Sequence, residues 1–503
     1  MVIFQYILSI IIWMPIIIGL LILLINNSKL SYLALLVGFI NFILSILIFK
    51  NFNPDIIDWQ FIEYYPWLPN IGIYYALGID GFSVVLIMLS AFINLLILIT
   101  SLQLIHNKSR YMACFLILNG LVNGVFAATN AMLFYMFFEV MLIPLFFVIG
   151  VWGGEKRIYA TLKFLLYASV GSVLFLTAII YLYNIALSNE VPLEQSLVIK
   201  NFYLLNLTIK QQTWLFIALL IAFAIKVPML PFHNWLPDAH VEAPTEGSIM
   251  LAAITLKVGA FAIIRFLLPI TSDACVLFSK FTISLSLIAI IYASFIALSQ
   301  KNLKKLIAYS SIAHMGFITL GLFVAVNLIK QKNTVQATLS ISGSLIHMIA
   351  HGIIVTVLFV SAGILYKRIY SNNIENFGGV INRMPKFSKL FLLFCLANMA
   401  LPGTIGFVGE LLIAIAGCKI NCFIAGVIGV SLILSASYML WTYKRLMLGE
   451  PINVHVKFLT DLNFQETLVL SSSAIIIILL GIYPLPIFNI INNSTLALIK
   501  AIS

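Results

Sequence analysis

The sequence has 503 residues, of which 62% are hydrophobic and 9% are charged, and its mean hydropathy is +1.11. This composition excludes a water-soluble globular protein and predicts an all-α polytopic membrane protein. A transmembrane β-barrel is also excluded, because the apolar runs are continuous and long enough for helices. Lysine plus arginine exceed aspartate plus glutamate by 28 to 17, and in a membrane protein that excess is a topology signal that requires no nucleic-acid partner.

Apolar windows of about 20 residues predict about 14 membrane-spanning helices, numbered spans 1 to 14 in chain order. The first run, Ile7 to Ile25, has no charged residue before it and is expected to be a retained span, not a cleaved signal. The polar, aromatic segment from Asn51 to Leu77 is expected to be an interfacial loop. The predicted spans are residues 3–25, 31–50, 80–104, 112–128, 131–152, 159–184, 213–229, 247–269, 276–298, 305–329, 338–366, 388–417, 423–446 and 467–490.

The basic residues are distributed unequally between the two sets of loops. Loops after odd-numbered spans carry 16 of them, loops after even-numbered spans and the C-terminus carry 9, and three lysines lie inside spans. Because basic residues are retained on the cytoplasmic or matrix side, the odd loops are predicted to face that side. Both chain termini then face the opposite side.

Two spans contain helix-breaking residues, which are Pro228 and Pro231 in span 7 and Pro402 and Gly403 in span 12. Broken backbone at membrane depth is tolerated where it lines a cavity, so these breaks indicate an ion path. Because they lie five spans apart, the two helices run in opposite directions, as expected for two inverted five-helix repeats. The predicted domains are 1–110 (spans 1 to 3 with the interfacial loop), 111–270 (spans 4 to 8, first repeat), 271–447 (spans 9 to 13, second repeat) and 448–503 (C-terminal loop and span 14).

Ionisable residues inside the spans are candidate functional groups, because a charge at the membrane centre costs about 2.5 to 3.5 kcal/mol on insertion scales. Lys226 immediately precedes the break in span 7. Lys257 lies near mid-depth in span 8, and Glu139 is the charged residue of span 5. Glu139 is either protonated and hydrogen-bonded to a neighbouring helix, or ionised and paired with Lys226, where its charge would change the proton affinity of the lysine.

Three histidines and a second glutamate continue this set. His314 lies in span 10, while His347 and His351 are four residues apart and share a face of span 11. Histidine titrates near neutral pH and suits proton transfer, although a structural role is the alternative for His314. A metal site at the paired histidines is not expected, because no further Cys, Asp or Glu ligand is near in sequence. Glu410 follows the break in span 12.

Lys163 lies near the start of span 6, where it would either extend its ammonium group to the membrane surface or relay protons. The cysteines lie mostly inside apolar helices, so neither a disulfide framework nor a metal site is expected. They are Cys114, Cys275, Cys395, Cys418 and Cys422.

A group of polar residues precedes span 8. Asp238, Glu242 and Glu246 are spaced four apart and are interpreted as loop acids that favour the N-terminus of span 8. His233 and His240 are interpreted as polar loop residues.

Four segments resemble the proton-translocating antiporter-like subunits of respiratory complex I: KVPMLPFHNWLPDAHVEAPT, FFEVMLIPLFFVIGVWGG, KKLIAYSSIAHMGF and LPGTIGFVGELL. The resemblance covers nearly the whole chain and implies a fold of 14 spans with inverted repeats and broken spans 7 and 12. A glutamate at 410 is typical of one branch of the family, whereas sister branches have lysine there. The resemblance implies a proton relay formed by Glu139, Lys226, Lys257, His314, His351 and Glu410, and Lys163 and His347 are further candidates.

The resemblance implies a proton-translocating membrane-arm subunit of NADH:ubiquinone oxidoreductase without a redox centre of its own. NADH, FMN, iron–sulfur clusters and quinone would belong to the wider complex, and the partners would be other membrane-arm subunits, especially antiporter-like ones, and membrane lipids. The composition, rich in Ile, Asn, Lys and Phe, suits an organelle or endosymbiont genome. The expected location is the mitochondrial inner membrane, with a bacterial inner membrane as the alternative.

Two other functions are considered. A subunit of a multi-subunit Na⁺/H⁺ antiporter would share the broken helices, but Glu410 and the combined motifs favour the complex I family. An inert scaffold is disfavoured, because each unpaired buried charge would be costly.

Two features depart from the pattern of the family. Glu246 stands in APTEGS, where a small residue is usual. The stretch from Val324 to Gly343 is longer than expected, which predicts an altered link between His314 and His351.

Overall fold

Membrane-spanning helices make up most of the chain. A computed structural model describes residues 5–25, 27–103, 107–451 and 454–503. Within these residues, 14 helices are long and apolar enough to cross a membrane; they include the C-terminal helix Leu485–Ile502 but not the two short halves of the broken span 12. A helix is favoured at these positions because it satisfies every backbone group within the segment. Spans 1 to 14 are Ile7–Leu24, Leu30–Asn51, Gly81–Ser101, Lys108–Ala127, Ala131–Trp152, Arg157–Ser188, Ile209–Lys226 with Trp235–Glu242, Thr245–Ile270, Ser272–Ser299, Leu303–Lys330, Thr334–Ile369, Pro385–Asn398 with Ile405–Ile420, Cys422–Met447 and Phe464–Ile482.

The loops after even-numbered spans contact one another at one end of the bundle, and the loops after odd-numbered spans do so at the other end. At one end, which we call the even face, the Thr129 amide in loop 4 donates to the Ala76 carbonyl before span 3 (3.0 Å). At the other end, the odd face, the Ile374 amide in loop 11 donates to the Lys301 carbonyl in loop 9 (2.8 Å). The spans therefore alternate in direction, and the odd face carries the excess of basic residues.

The segment expected to be an interfacial loop is instead a β-hairpin. Strands β1 (Gln60–Leu68) and β2 (Ile73–Ile79) pair in antiparallel register. The Glu63 carboxylate in β1 accepts the amides of Leu8 (2.9 Å) and Ser9 (3.1 Å). A carboxylate is favourable at a helix N-terminus, where amides have no partner within the helix. The hairpin thus caps span 1 on the even face.

Both broken helices are interrupted next to the predicted prolines. Span 7 ends at Lys226 and resumes at Trp235, and span 12 ends at Asn398 and resumes at Ile405. Span 12 starts on the odd face, where the Lys386 amide donates to a loop 13 carboxylate (3.0 Å). Span 7 starts on the even face, so the two broken helices run in opposite directions. The inverted repeats and the domain boundaries drawn from them remain predictions.

The end of the chain differs from the prediction of one span over 467–490. The helix Phe464–Ile482 stops before Pro484, and a second helix, Leu485–Ile502, follows. Proline lacks an amide hydrogen and cannot continue the hydrogen-bond ladder of the helix before it. Span 14 is therefore the first of these two helices alone.

The C-terminal helix Leu485–Ile502 lies along the even face. Near its start, Phe488 lines a cavity with Thr338 at the beginning of span 11. Near its end, Lys500 lines another cavity with Lys200 in loop 6. Because both ends lie beside segments of the same face, this helix runs along that face and does not cross the bundle, although it is long and apolar enough to span.

The most buried spans are 4, 8, 10 and 11. The most apolar 18 residues of span 11 are entirely buried, and those of spans 4, 8 and 10 are 94% buried. Spans 2, 13 and 14 have only a third of their windows buried and present apolar side chains to their surroundings. The candidate residues of spans 8, 10 and 11 therefore lie inside the bundle, away from lipid.

Candidate functional site

Lys257 lies at the centre of the bundle between two π-helical turns of span 8. These turns cover Leu251–Thr255 and Ile263–Leu267, and π-turns are frequent at functional sites. Lys257 is fully buried, and its Nζ donates to the Ala252 carbonyl (2.8 Å). The same Nζ lies 2.6 Å from His351 Nδ1. A proton can therefore be shared between Lys257 of span 8 and His351 of span 11.

Spans 10, 11 and 12 bring three histidines and a glutamate together. The His314 ring centroid lies 5.3 Å from that of His347 and 5.6 Å from that of His351. Glu410 Oε1 lies 3.4 Å from His314 Nδ1 and 3.9 Å from His347 Nε2. All four side chains are buried. With Lys257 they form a continuous buried array from span 8 to span 12, which we call the central array.

The histidines of the central array have unused hydrogen-bonding positions. Both ring nitrogens of His314 and His347 and the Nε2 of His351 have no hydrogen-bond partner. Buried polar atoms are normally bonded, so each of these nitrogens requires an explanation. A cavity of about 10 Å³ lies between these rings and Glu410. It is about the size that holds a single water molecule, and such a molecule would connect these groups.

The same cluster has the donor types of a metal site. His314, His347 and Glu410 each present a ligand atom, and these atoms lie within 4.8 Å of one another. The sequence argument against a metal rested on the lack of an acidic ligand nearby in sequence. That argument does not cover this cluster, to which span 12 brings Glu410 from a distant part of the chain, and the absence of a metal stays a prediction.

Lys226 and Glu139 lie in neighbouring helices but do not form the ion pair that was one of the two alternatives for Glu139. Lys226 Nζ lies 4.2 Å from the centre of the Phe138 ring and 3.5 Å from the Phe138 carbonyl. Glu139 accepts a hydrogen bond from Ser172 in span 6. The sequence could not identify this serine, because nothing local marks which residue of span 6 faces span 5.

The break in span 7 places Lys226 against span 8. Gly259 in span 8 packs so closely that a methyl group there would lie 2.8 Å from Lys226 Cβ. The Ile225 carbonyl, which the break leaves without a helical partner, accepts the Trp235 indole N–H (2.9 Å). This carbonyl is therefore satisfied within the protein and does not line an open cavity.

Comparison with known proteins identifies the family. The sequence model of the family described as NADH:quinone oxidoreductase/Mrp antiporter, TM matches residues 128–435. A protein of Rickettsia prowazekii named NADH-quinone oxidoreductase subunit M is 42% identical over 495 residues, which cover 97% of each chain. The chain belongs to this family. The predicted resemblance, to the branch called chain 4 or, in bacteria, subunit M, is confirmed.

Two further comparisons extend this result. A Marchantia polymorpha protein named NADH-ubiquinone oxidoreductase chain 4 is 38% identical over 483 residues, covering 95% of this chain and 94% of that protein. A chain in the structure of respiratory complex I from Thermus thermophilus with bound NADH has a TM-score of 0.88 at 27% identity, covering 99% of this chain and all of that one. The expected mitochondrial inner membrane is not supported, since the bacterial relative has the higher identity. A bacterial inner membrane is favoured instead.

Lys163 forms an ion pair in the structure, and its two expected roles stay predictions. Its Nζ forms a 2.6 Å ion pair with Asp238, which lies in the second half of span 7. Glu242 also lies in this helix, and its carboxylate accepts the Lys156 amide (2.8 Å). The interpretation of Asp238 and Glu242 as loop acids of span 8 is therefore wrong, because span 7 resumes as a helix after its break.

Glu246 alone among the three acids lies in the first turn of span 8, as predicted. It is buried, and one carboxylate oxygen accepts the Tyr111 hydroxyl (3.0 Å). Tyr111 comes from span 4 and was not a candidate, since a tyrosine at a helix end has no distinctive sequence signal. The unusual acid of this family member thus has a partner inside the protein.

His233 and His240 are both buried. His233 lies in the turn at the break of span 7, as expected for a loop residue, whereas His240 lies in the helix Trp235–Glu242, which corrects its interpretation. The His240 ring stacks on Phe359 of span 11 (4.9 Å between centroids), and neither of its nitrogens has a hydrogen-bond partner. The second half of span 7 returns into the bundle, which explains the burial.

The stretch from Val324 to Gly343 is helical apart from a short turn. Span 10 continues to Lys330 and span 11 begins at Thr334. The His314 and His351 rings are 5.6 Å apart, and an altered link between them stays a prediction.

Proposed function

We propose that the chain is a proton-translocating membrane-arm subunit of an NADH:quinone oxidoreductase. The observation that carries this proposal is the central array, in which Lys257 Nζ lies 2.6 Å from His351 Nδ1 and His314 Nδ1 lies 3.4 Å from Glu410. Family membership supports the proposal, because the relatives carry the names of subunits of that enzyme.

The geometry suits a stepwise transfer. Lys257 holds a proton on Nζ and shares it with His351 Nδ1, since their separation is that of a hydrogen bond. The unbonded nitrogen of His351 and the His314 ring then pass a proton toward Glu410, with one water in the small cavity as the bridge. Glu410 lies on the half of span 12 that runs to the even face, so the proton is released at that face.

Lys226 and Glu139 act ahead of the central array. Lys226 ends the first half of span 7 and packs on span 8 two residues beyond Lys257. A carboxylate at Glu139, held in position by the hydrogen bond from Ser172, would favour the charged form of Lys226. A change in the Glu139 environment would therefore alter whether Lys226 keeps its proton.

The redox groups belong to other subunits in this proposal. Iron–sulfur clusters require sets of cysteine thiolates, whereas Cys114, Cys275 and Cys395 are buried in separate spans and Cys418 and Cys422 form an exposed pair. NADH, FMN and quinone are likewise assigned to the wider complex. The partners are other membrane-arm subunits, above all the neighbouring antiporter-like ones.

A Na⁺/H⁺ antiporter subunit is the second candidate, because the matching family model is described by both functions. The test uses the purified complex in proteoliposomes, with NADH and a water-soluble quinone and with lumen acidification as the readout. Glu410→Gln should lower the protons moved per NADH, whereas the control Glu155→Gln, at an exposed residue of the odd face, should not.

Sodium separates the two candidates in the same assay. Acidification that requires NADH and proceeds without sodium supports the oxidoreductase. A chain that never purifies with NADH-oxidising activity, and that moves protons only against a sodium gradient, would contradict the proposal and favour the antiporter.

A further inference from the structure

Two cysteines face each other at the turn between spans 12 and 13. Cys418 lies in the last turn of span 12 and Cys422 is the first residue of span 13. Their Sγ atoms are 3.2 Å apart, and both residues are exposed. The other cysteines of the chain are buried, and their burial raises the barrier to any thiol reagent. This pair is therefore chemically distinct from the rest.

We propose that Cys418 and Cys422 form a reversible disulfide on the even face. The sulfur atoms are already in van der Waals contact, so a rotation of the two side chains brings them to bonding distance. Asn421 ends the extended link between the spans, and its side chain accepts the Phe423 amide (2.9 Å), which holds the turn that places the thiols together. The proposal does not depend on the proposed function.

The position of the turn favours oxidation. It follows span 12, whose second half runs from the break to the even face, and the distribution of basic residues places that face opposite the cytoplasm. Disulfides persist in such compartments, whereas cytoplasmic thiols are kept reduced. A bond between these cysteines would therefore be stable on the side where they lie.

The oxidant is a disulfide, either of a protein or of a small molecule. The Cys418 thiolate attacks one sulfur of that disulfide, forms a mixed disulfide and releases the first thiolate. The Cys422 thiolate then attacks Cys418 Sγ, which closes the internal bond and releases the second thiolate. Two protons and two electrons leave the cysteine pair, and the oxidant is reduced to two thiols.

The bond would act locally. It closes a loop of only five residues, Cys418 to Cys422, so it restricts little of the unfolded chain. Its main effect is to fix the angle between the second half of span 12 and span 13. Glu410 lies on the same helix, eight residues before Cys418, which is about 12 Å at 1.5 Å per residue.

The experiment uses membranes that contain the whole complex. Cells are quenched with N-ethylmaleimide, and the peptide that contains both cysteines is analysed by mass spectrometry before and after reduction. We expect this peptide to be unlabelled and two hydrogens lighter without reductant, and doubly labelled after reduction. Incubation of the reduced membranes with oxidised glutathione should restore the lighter form.

Two variants complete the test. In Cys418→Ser, Cys422 should be labelled without reductant, because its partner is absent. The control Cys395→Ser should leave the labelling of Cys418 and Cys422 as it is in the parent. Full labelling of both cysteines without reductant, even after oxidised glutathione, would overturn the proposal. A stable glutathione adduct on either cysteine would overturn it as well, since it shows that the second thiol does not attack the first.

Discussion

The contact between spans 7 and 8 leads to a sharp prediction for Gly259→Ala. A methyl group at 259 would lie 2.8 Å from Lys226 Cβ and 2.8 Å from a Val227 methyl group, with the Val227 amide nitrogen at 3.1 Å. Carbon atoms in contact prefer separations of about 3.5 to 4.0 Å, so the two helices must move apart by up to about 1 Å. Such overpacking costs about 1 to 3 kcal/mol, and it displaces Lys226 from the position that the break gives it.

The assay compares Gly259→Ala with Gly426→Ala in the purified complex. A methyl group at Gly426 in span 13 meets no atom within 4 Å, and alanine is favoured over glycine in a helix by about 0.5 to 1 kcal/mol. Gly426→Ala should therefore keep the thermal midpoint and the NADH-driven proton pumping of the parent. Gly259→Ala should lower both. If Gly259→Ala matched the parent in both measurements, the close packing between Lys226 and span 8 would be refuted.

Three further predictions concern buried polar groups. Tyr111→Phe should destabilise the protein by about 1 to 3 kcal/mol in urea denaturation, because it leaves the buried carboxylate of Glu246 without its donor. Arg368→Ala should lower the free energy of unfolding by about 3 to 5 kcal/mol, since it leaves Glu466 buried without its 2.7 Å partner. The control Lys301→Ala, at an exposed ion pair, should lower it by at most about 1 kcal/mol. Equal losses in the two variants would contradict this prediction. A chelator of divalent metals should leave proton pumping unchanged. If the chelator abolished pumping and one added metal restored it, the histidine–glutamate cluster would be shown to bind that metal.

The spans were predictable because membrane helices follow local rules. About 20 apolar residues in succession suffice to cross the membrane, and prolines interrupt the hydrogen-bond ladder wherever they fall. These rules placed Lys226 at a helix break and Lys257 at mid-depth without any knowledge of neighbouring helices. The β-hairpin was missed because strands of nine and seven residues outside the apolar runs carry a much weaker signal.

The partners of the candidate residues were less predictable, because they come from distant spans. Glu410 was recognised as a buried acid, but its approach to His314 depends on how span 12 packs against span 10. For Glu139, a hydrogen bond to a neighbouring helix and a pair with Lys226 were both left open, and the structure shows a hydrogen bond from Ser172 of span 6. His240 was misread as a loop residue, since its burial follows from the return of span 7 into the bundle. Helix packing, which the periodicity of one span does not specify, decides each of these contacts.

The central claim is that protons pass through the central array, and Lys257→Ala tests it most directly. The measurement is the number of protons pumped per NADH oxidised by the assembled complex in proteoliposomes, with Lys280→Ala, at an exposed lysine of span 9, as the matched control. We expect a lower ratio for Lys257→Ala and the ratio of the parent for Lys280→Ala. An unchanged ratio in Lys257→Ala, with normal assembly, would contradict the claim and leave Lys257 with a structural role.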